Sequence, residues 1–421
     1  MDDKDAYLEG EKYIEQEIKE EGDDCLTTFF SEKDLLASID NDTVVIGYFI
    51  RQETIYLYIF DLYKEKIRII SSPQALDVAY LEIKNLLQKF HQSTKKFFSP
   101  FSSLEDIRLK EEFEKLADEQ DIYLSDIYCK LSIKEALEKI KMSGRELYKT
   151  SLLISPEGAL HRIPFSALYD PKEHQYLYEK IRDIHTTISL RILAVQRSIP
   201  SHKELKCVFF GVPGNFQLNE EGLFKVDKLL VCIKEEIQAI KDFLGNDNVI
   251  CFGYGGPKHY QARVETVIEY HNIGTIFYFS GHGGDIEESQ DSGPRFLDKI
   301  IPWSEMVENN RWNFTNQVIV ILSSCLLGRQ LENGKEMLGM ISALYSKGAA
   351  SVVSALWEVD DKATSILMPL FVKHLKENLK NGVEHPRTLA LKSAMNELRS
   401  LDNGKWDVPY FFAPFFVSGA P

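Results

Sequence analysis

Ile273-Gly-Thr-Ile-Phe-Tyr-Phe-Ser-Gly-His-Gly-Gly-Asp285 and Val318-Ile-Val-Ile-Leu-Ser-Ser-Cys325 decide how this chain is read. Each is a short run of β-branched and aromatic residues, which predicts a buried strand. Each then gives way to small residues and delivers one reactive side chain, His282 in the first and Cys325 in the second. The two are 43 residues apart, which is room for the loop and helix or turn that a crossover between neighbouring parallel strands requires. A parallel sheet would present a thiol and its base at its carboxyl edge in this way.

Outward from that pair, strand and helix patterns alternate. Val208–Val212 reads as a strand, followed by a helix carrying Leu229, Ile233, Ile237, Ile240 and Leu244, the strand Val249–Phe252 and a helix over Ala262–Tyr270. Beyond Cys325 come a helix near Met337–Tyr345, the strand Ala350–Leu356, helices from Asp361 to about Asn378 and over Thr388–Ser400, and a last strand over Tyr410–Val417. Such alternation calls for an α/β fold, a mainly parallel sheet with helices on both faces. Earlier, three strand-like runs, Thr43–Ile50, Thr54–Leu62 and Ile67–Ile70, precede an amphipathic helix with Leu76, Tyr80, Ile83, Leu87 and Phe90 at helical spacing. Helical patterns follow at Glu105–Ala117 and Ile133–Leu147, leading to the strand Ser151–Ser155. The first residues, 1–28, read as a charged helix or tail.

The chain has 421 residues, 44% of them hydrophobic, enough for a large core and more than one domain-sized unit. Its formal charge of −15 argues against direct binding to nucleic acid or to anionic membranes, which attract basic surfaces. A partner with a basic recognition segment suits it better. No apolar run approaches the length of a membrane span, and the acidic start Met1-Asp-Asp-Lys-Asp5 is unlike a signal peptide, so a cytoplasmic location is expected. The six cysteines form no C-x-x-C pair and no cluster with zinc spacing, so neither disulfides, a metal nor a cofactor is expected. No G-x-x-x-x-G-K-[ST] occurs, and Gly253-Tyr-Gly-Gly256 falls short of the dinucleotide fingerprint.

A cysteine nucleophile needs a histidine that takes its proton, donors for the oxyanion and a pocket for the residue before the cut. Cys325 would attack the carbonyl, and His282 would act as base and then as acid. The N–H groups of Gly283 and Cys325 are the natural oxyanion donors. Taken singly, a cysteine at a strand end is as readily core packing, and a histidine among glycines suits a tight turn or a phosphate loop; together, at the ends of neighbouring strands, they point to chemistry. The order, histidine first and cysteine some tens of residues later, is that of caspase-type enzymes.

An ordered set of blocks resembles one family, the CHAT domains, caspase-like cysteine peptidases related to separase and grouped with caspases, gingipains and clostripain. The blocks are Ser151–Leu168 (SLLISPEGALHRIPFSAL), Phe210–Asn215 (FGVPGN), Phe279–Asp285 (FSGHGGD), Leu322–Gly328 (LSSCLLG), Lys347–Thr364 (KGAASVVSALWEVDDKAT) and Pro409–Phe415 (PYFFAPF). The resemblance implies a caspase-like three-layer α/β/α sandwich over residues 196–421, preceded by a non-catalytic, pseudocaspase-like half over 29–195. It places the dyad at His282 and Cys325 and leaves His161 a structural residue. Ser324, where the family usually has alanine, and Leu326 and Leu327 depart from its pattern and bear on substrate preference. The activity implied is endopeptidase cleavage of a specific protein partner, under an activating partner, in bacterial defence or regulated cell death, with CRISPR-linked or gasdermin-like substrates known in the family. A catalytically silent scaffold that binds partners is the alternative, disfavoured by the presence of both dyad residues.

For the P1 pocket, the segment Trp357-Glu358-Val359-Asp360-Asp361 stands where separase uses acidic residues to bind a P1 arginine. A carboxylate facing a guanidinium is a strong and selective pair, which makes Asp361 the candidate. An N-cap aspartate would look the same in sequence, in which case Asp360 takes the pocket role. Trp357 and Trp406 either line subsites or belong to the core. The acidic stretch Asp285–Asp291 reads as a long polar loop beside His282, mobile or simply solvated.

Overall fold

The computed structural model describes residues 39–421 except 65, 98–106, 189, 199–203, 219–223, 228–229, 255–260, 287–290, 316–317 and 325–334. The expected amino-terminal helix or tail therefore lies outside the described residues. The strands are, in chain order, β1 (Thr43–Arg51), β2 (Thr54–Tyr63), β3 (Lys66–Ala79), β4 (Ser151–Ser155), β5 (Tyr169–Asp170), β6 (Gln175–Tyr176), β7 (Asp183–Thr186), β8 (Cys207–Gly211), β9 (Asn215–Leu218), β10 (Phe224–Asp227), β11 (Val249–Gly253), β12 (Ile276–Gly281), β13 (Gly283–Ile286), β14 (Asp291–Pro294), β15 (Ile319–Ser324), β16 (Ser351–Ala355) and β17 (Phe415–Gly419).

Eleven of them form one sheet in the order β11-β8-β12-β15-β16-β17-β7-β4-β1-β2-β3. From β11 to β16 all neighbours are parallel, β17 turns antiparallel to β16, and β17, β7, β4 and β1 are again parallel to one another. The sheet thus consists of two parallel sets running in opposite directions, closed at one edge by the antiparallel meander β1-β2-β3. The inner strands of the first set, β8, β12, β15 and β16, are wholly buried, because helices cover both sides of a parallel sheet.

Several boundaries differ from the sequence reading for local reasons. Leu76 lies on β3, which runs on to Ala79, and the helix starts at Tyr80 (Tyr80–Phe97). Ser71-Ser72-Pro73 looks like a chain break, yet β3 is an edge strand, where a proline costs no internal ladder bond. Of the polar loop expected after His282, Asp285, Ile286 and Asp291 belong to the paired strands β13 and β14, and residues 287–290 lie outside the described residues. Tyr410–Phe412 belongs to a short helix that starts at Pro409, so β17 begins only at Phe415.

Within the second set, β17 from the end of the chain meets β7 through the pair Ser418 and Thr186, and side chains join the two halves of the chain further. Trp357 packs edge-on against Phe90, with ring centroids 5.4 Å apart, and Phe97 stacks on Tyr410 at 4.7 Å. His385, in left-handed backbone at φ 54°, joins Asp40 through Nε2 (2.7 Å) and Asp183 through Nδ1 (3.3 Å). Ser151 and Thr388 donate to Asp183 Oδ1 at 2.7 and 2.9 Å, and Arg182 Nε donates to its Oδ2 at 2.8 Å. Burial alone would lower the His385 pKa; the bonds to Asp183 and Asp40 outweigh it and raise it to about 9.

Candidate active site at the ends of two parallel strands

β12 and β15 pair in parallel, with Ser280 opposite Ser323 and Gly281 opposite Ser324. His282 is the next residue on the first strand. Cys325, the next residue in sequence after β15, lies outside the described residues, so the site is described up to Ser324. Gly281 is required by close packing: a Cβ there would stand 2.8 Å from the Phe279 ring and 3.1 Å from the Val212 carbonyl oxygen. His282 is buried, and its carbonyl accepts from Arg295 N–H at 3.0 Å.

That bond fixes the direction of the following amide. His282 with Arg295 exchanges a ladder bond, so by antiparallel alternation the next pair, Gly283 with Pro294, exchanges none. Proline is accommodated there because no N–H is needed, and the Gly283 N–H points away from β14. This is the amide expected as an oxyanion donor.

Sequence reasoning missed Glu236. It sits on the helix Ile233–Leu244, three residues after Ile233 and four before Ile240, inside the apolar stripe. That placement was the available signal: a charged residue in a buried register. Its carboxylate accepts from the hydroxyls of Tyr278, of Ser280 at 2.6 Å and of Ser323 at 2.9 Å. Burial raises its pKa, the three hydroxyls oppose this, and the result is about 7.

The acidic segment after β16 is distributed over several tasks. Asp360 caps the helix Asp361–Lys380, accepting from Ala363 N–H at 2.7 Å. Asp361 instead accepts from the N–H groups of Val231 and Cys232, at 3.0 and 3.1 Å, where the helix bearing Glu236 begins. The cap is Asp360 rather than Asp361, because Asp360 holds extended backbone just before the first helical residue. Glu358 is half-buried. Trp357 is core, 4% exposed, and its Nε1 donates to the Tyr410 carbonyl at 3.2 Å. Trp406 is also buried, bonded through Nε1 to Asp402. His161 is buried, and desolvation lowers its pKa to about 4.

Among the described residues, two clusters bring potential ligand atoms within 4.8 Å of one another, Asp183/His185/His385 and Asp40/Asp42/His385. The three aspartates of these clusters are each engaged by a cation. Arg182 pairs with Asp183 and Asp42, Arg197 pairs with Asp40, and His385 bridges the rest. Positive charge thus occupies the place a metal would take.

Comparison with known proteins bears on the family and the fold. The model of the CHAT domain matches residues 124–420. No curated protein matches the sequence significantly. Among solved structures, separase in the Saccharomyces cerevisiae separase-securin complex superposes with a TM-score of 0.60 at 11% identity, over 92% of this chain and 30% of that one. A second structure of that complex gives 0.59. The Arg-specific cysteine proteinase gingipain R gives 0.44 at 13% identity, over 68% of this chain and 66% of that one. This chain spans about a third of the length of the separase chains it matches. Among the described residues no helix is long and apolar enough to cross a membrane. With the family model covering well over half of its length, the protein belongs to the CHAT domain family and has the fold of the caspase-like cysteine peptidases.

Proposed function

We propose that the chain is a cysteine endopeptidase of the cytoplasm that cuts a specific protein partner, with Cys325 as nucleophile and His282 as its base. The observation that carries this reading is the register of β12 on β15, which sets Gly281 beside Ser324, the residues immediately before the two. The Cys325 sulfur attacks the scissile carbonyl carbon while His282 holds the thiol proton. The carbonyl oxygen takes up the negative charge and is met by the N–H groups of Gly283 and Cys325. His282 then gives its proton to the leaving amine. A water that loses a proton to His282 releases the acyl group as a carboxylate, and the thiol is regenerated.

Residues 196–421 form the catalytic half in this reading, and 29–195 the non-catalytic one. The carboxylates of Glu358, Asp360 and Asp361 after β16 support a basic P1 residue, and the net charge of −15 supports a partner with a basic recognition segment. The separase of the matching structure is in complex with securin; by that likeness a protein partner controls this site, acting in bacterial defence or regulated cell death on a CRISPR-linked or gasdermin-like substrate. The test incubates wild type and Cys325→Ala with the products of neighbouring genes and identifies new termini by mass spectrometry. New termini with wild type alone, each after a basic residue, are expected. Cleavage that persists in Cys325→Ala removes the mechanism.

A further inference from the structure

The ends of β12 and β15 are built from small residues, Ser280-Gly281 and Ser323-Ser324. Small side chains interlock weakly, so packing alone does little to fix how far one strand end is offset along the other. The tie between them is polar. Glu236 lies directly beneath, 3% exposed, and a carboxylate in that position is costly unless hydrogen bonds replace its water. Tyr278 and Ser280 of β12 and Ser323 of β15 supply them. Ser280 and Ser323 are register partners, and each stands two residues before one member of the dyad.

Resting on the dyad reading above, we propose that Glu236 is a positioning residue: through the Ser280 and Ser323 hydroxyls it fixes the offset of the two strand ends, and with it the approach of the His282 ring to the Cys325 thiol. An apolar side chain would serve folding as well, since the rest of the stripe is Ile233, Ile237, Ile240 and Leu244. What an apolar residue cannot do is bind both strands at defined points, and a satisfied polar network in a dry site does so rigidly. The ionisable groups that face Glu236 are Tyr278 on β12, the Cys207 thiol on β8 and Asp361 on the neighbouring helix. The Asp361 carboxylate is engaged by two backbone N–H groups.

Alkylation of Cys325 by iodoacetamide, read residue by residue by mass spectrometry from about pH 5 to about pH 9, tests this without any substrate. Cys129 is exposed and serves as the reference thiol. Wild-type Cys325 is expected to react as a thiolate well below the ordinary thiol range of about 8.5, and His282→Ala to abolish that low-pH limb. Glu236→Gln and Ser323→Ala should lower the Cys325 rate near neutral pH about tenfold and move its limb toward that ordinary range, with the Cys129 profile and near-UV circular dichroism unchanged. If Glu236→Gln does not fold, Ser323→Ala decides, because it leaves the carboxylate with Tyr278 and Ser280. Profiles of both variants that superimpose on wild type, while His282→Ala differs, overturn the proposal and leave the dyad standing. A wild-type Cys325 that titrates like Cys129 and ignores His282→Ala overturns both.

Discussion

His385→Asn should make the stability of this protein less dependent on pH above neutrality, and the size of the effect follows from the charges around the ring. Asparagine tolerates the left-handed backbone at this position, so the substitution removes the imidazole with little strain. The His385 pKa is raised from 6.5 to about 9 by Asp183 and Asp40 against the pull of burial. At about 1.4 kcal/mol per tenfold change in proton affinity, that difference corresponds to about 3 kcal/mol. For a group whose folded pKa is raised, this stabilisation is complete below 6.5 and is lost as pH climbs to about 9. The lowered pKa of Asp183 is the same interaction seen from the other partner and is not added to it. Urea melts followed by tryptophan fluorescence give the measurement, since Trp312, Trp357 and Trp406 are all buried. His385→Asn should cost about 4 kcal/mol near pH 6, the charged bridge plus a neutral hydrogen bond, and only about 1 kcal/mol well above pH 9, where the neutral bond is all that is lost. An equal cost at both pH values, with unchanged urea dependence, would refute the account of a charged bridge.

Two further substitutions probe the segment after β16. Trp357→Phe keeps a ring against Phe90 but forfeits the bond to the Tyr410 carbonyl, so a loss of about 1 to 2 kcal/mol in urea denaturation is expected, mostly from the unpaired carbonyl and the smaller ring. Asp360→Ala removes the cap on Ala363 N–H and should cost about 1 kcal/mol by the same measurement, whereas Asp360→Asn should retain most of it.

The strands that carry the site were legible because burial on both faces leaves a continuous apolar run: β8, β12, β15 and β16 lie within two residues of the runs that announced them. β7 was invisible for the opposite reason. Asp183-Ile-His-Thr186 is short and half ionisable, and it becomes a strand because β4 and β17 flank it and because Asp183 is absorbed by Ser151, Thr388, Arg182 and His385 from distant parts of the chain. His185, wholly buried on the same strand, has neither ring nitrogen hydrogen-bonded, and desolvation lowers its pKa to about 3; nothing in the local sequence marks such a residue. Asp360 and Asp361 could not be told apart in advance, since which of two adjacent aspartates caps a helix depends on a single ψ angle.

The support beneath the site also joins regions that sequence treats separately. Asp361 belongs to the segment expected to face the P1 residue, yet its carboxylate holds the amides at which the helix Ile233–Leu244 begins, where the helix dipole favours negative charge. Glu236 lies in the first turn of that helix and reaches both strand ends. Lys362, next to Asp361, pairs with Glu235 on the same turn. A displacement of the chain after β16 therefore pulls on the turn that carries Glu236, and through two serine hydroxyls on the residues just before His282 and Cys325. Small residues at those strand ends leave the ends dependent on this buried polar scaffold for their alignment.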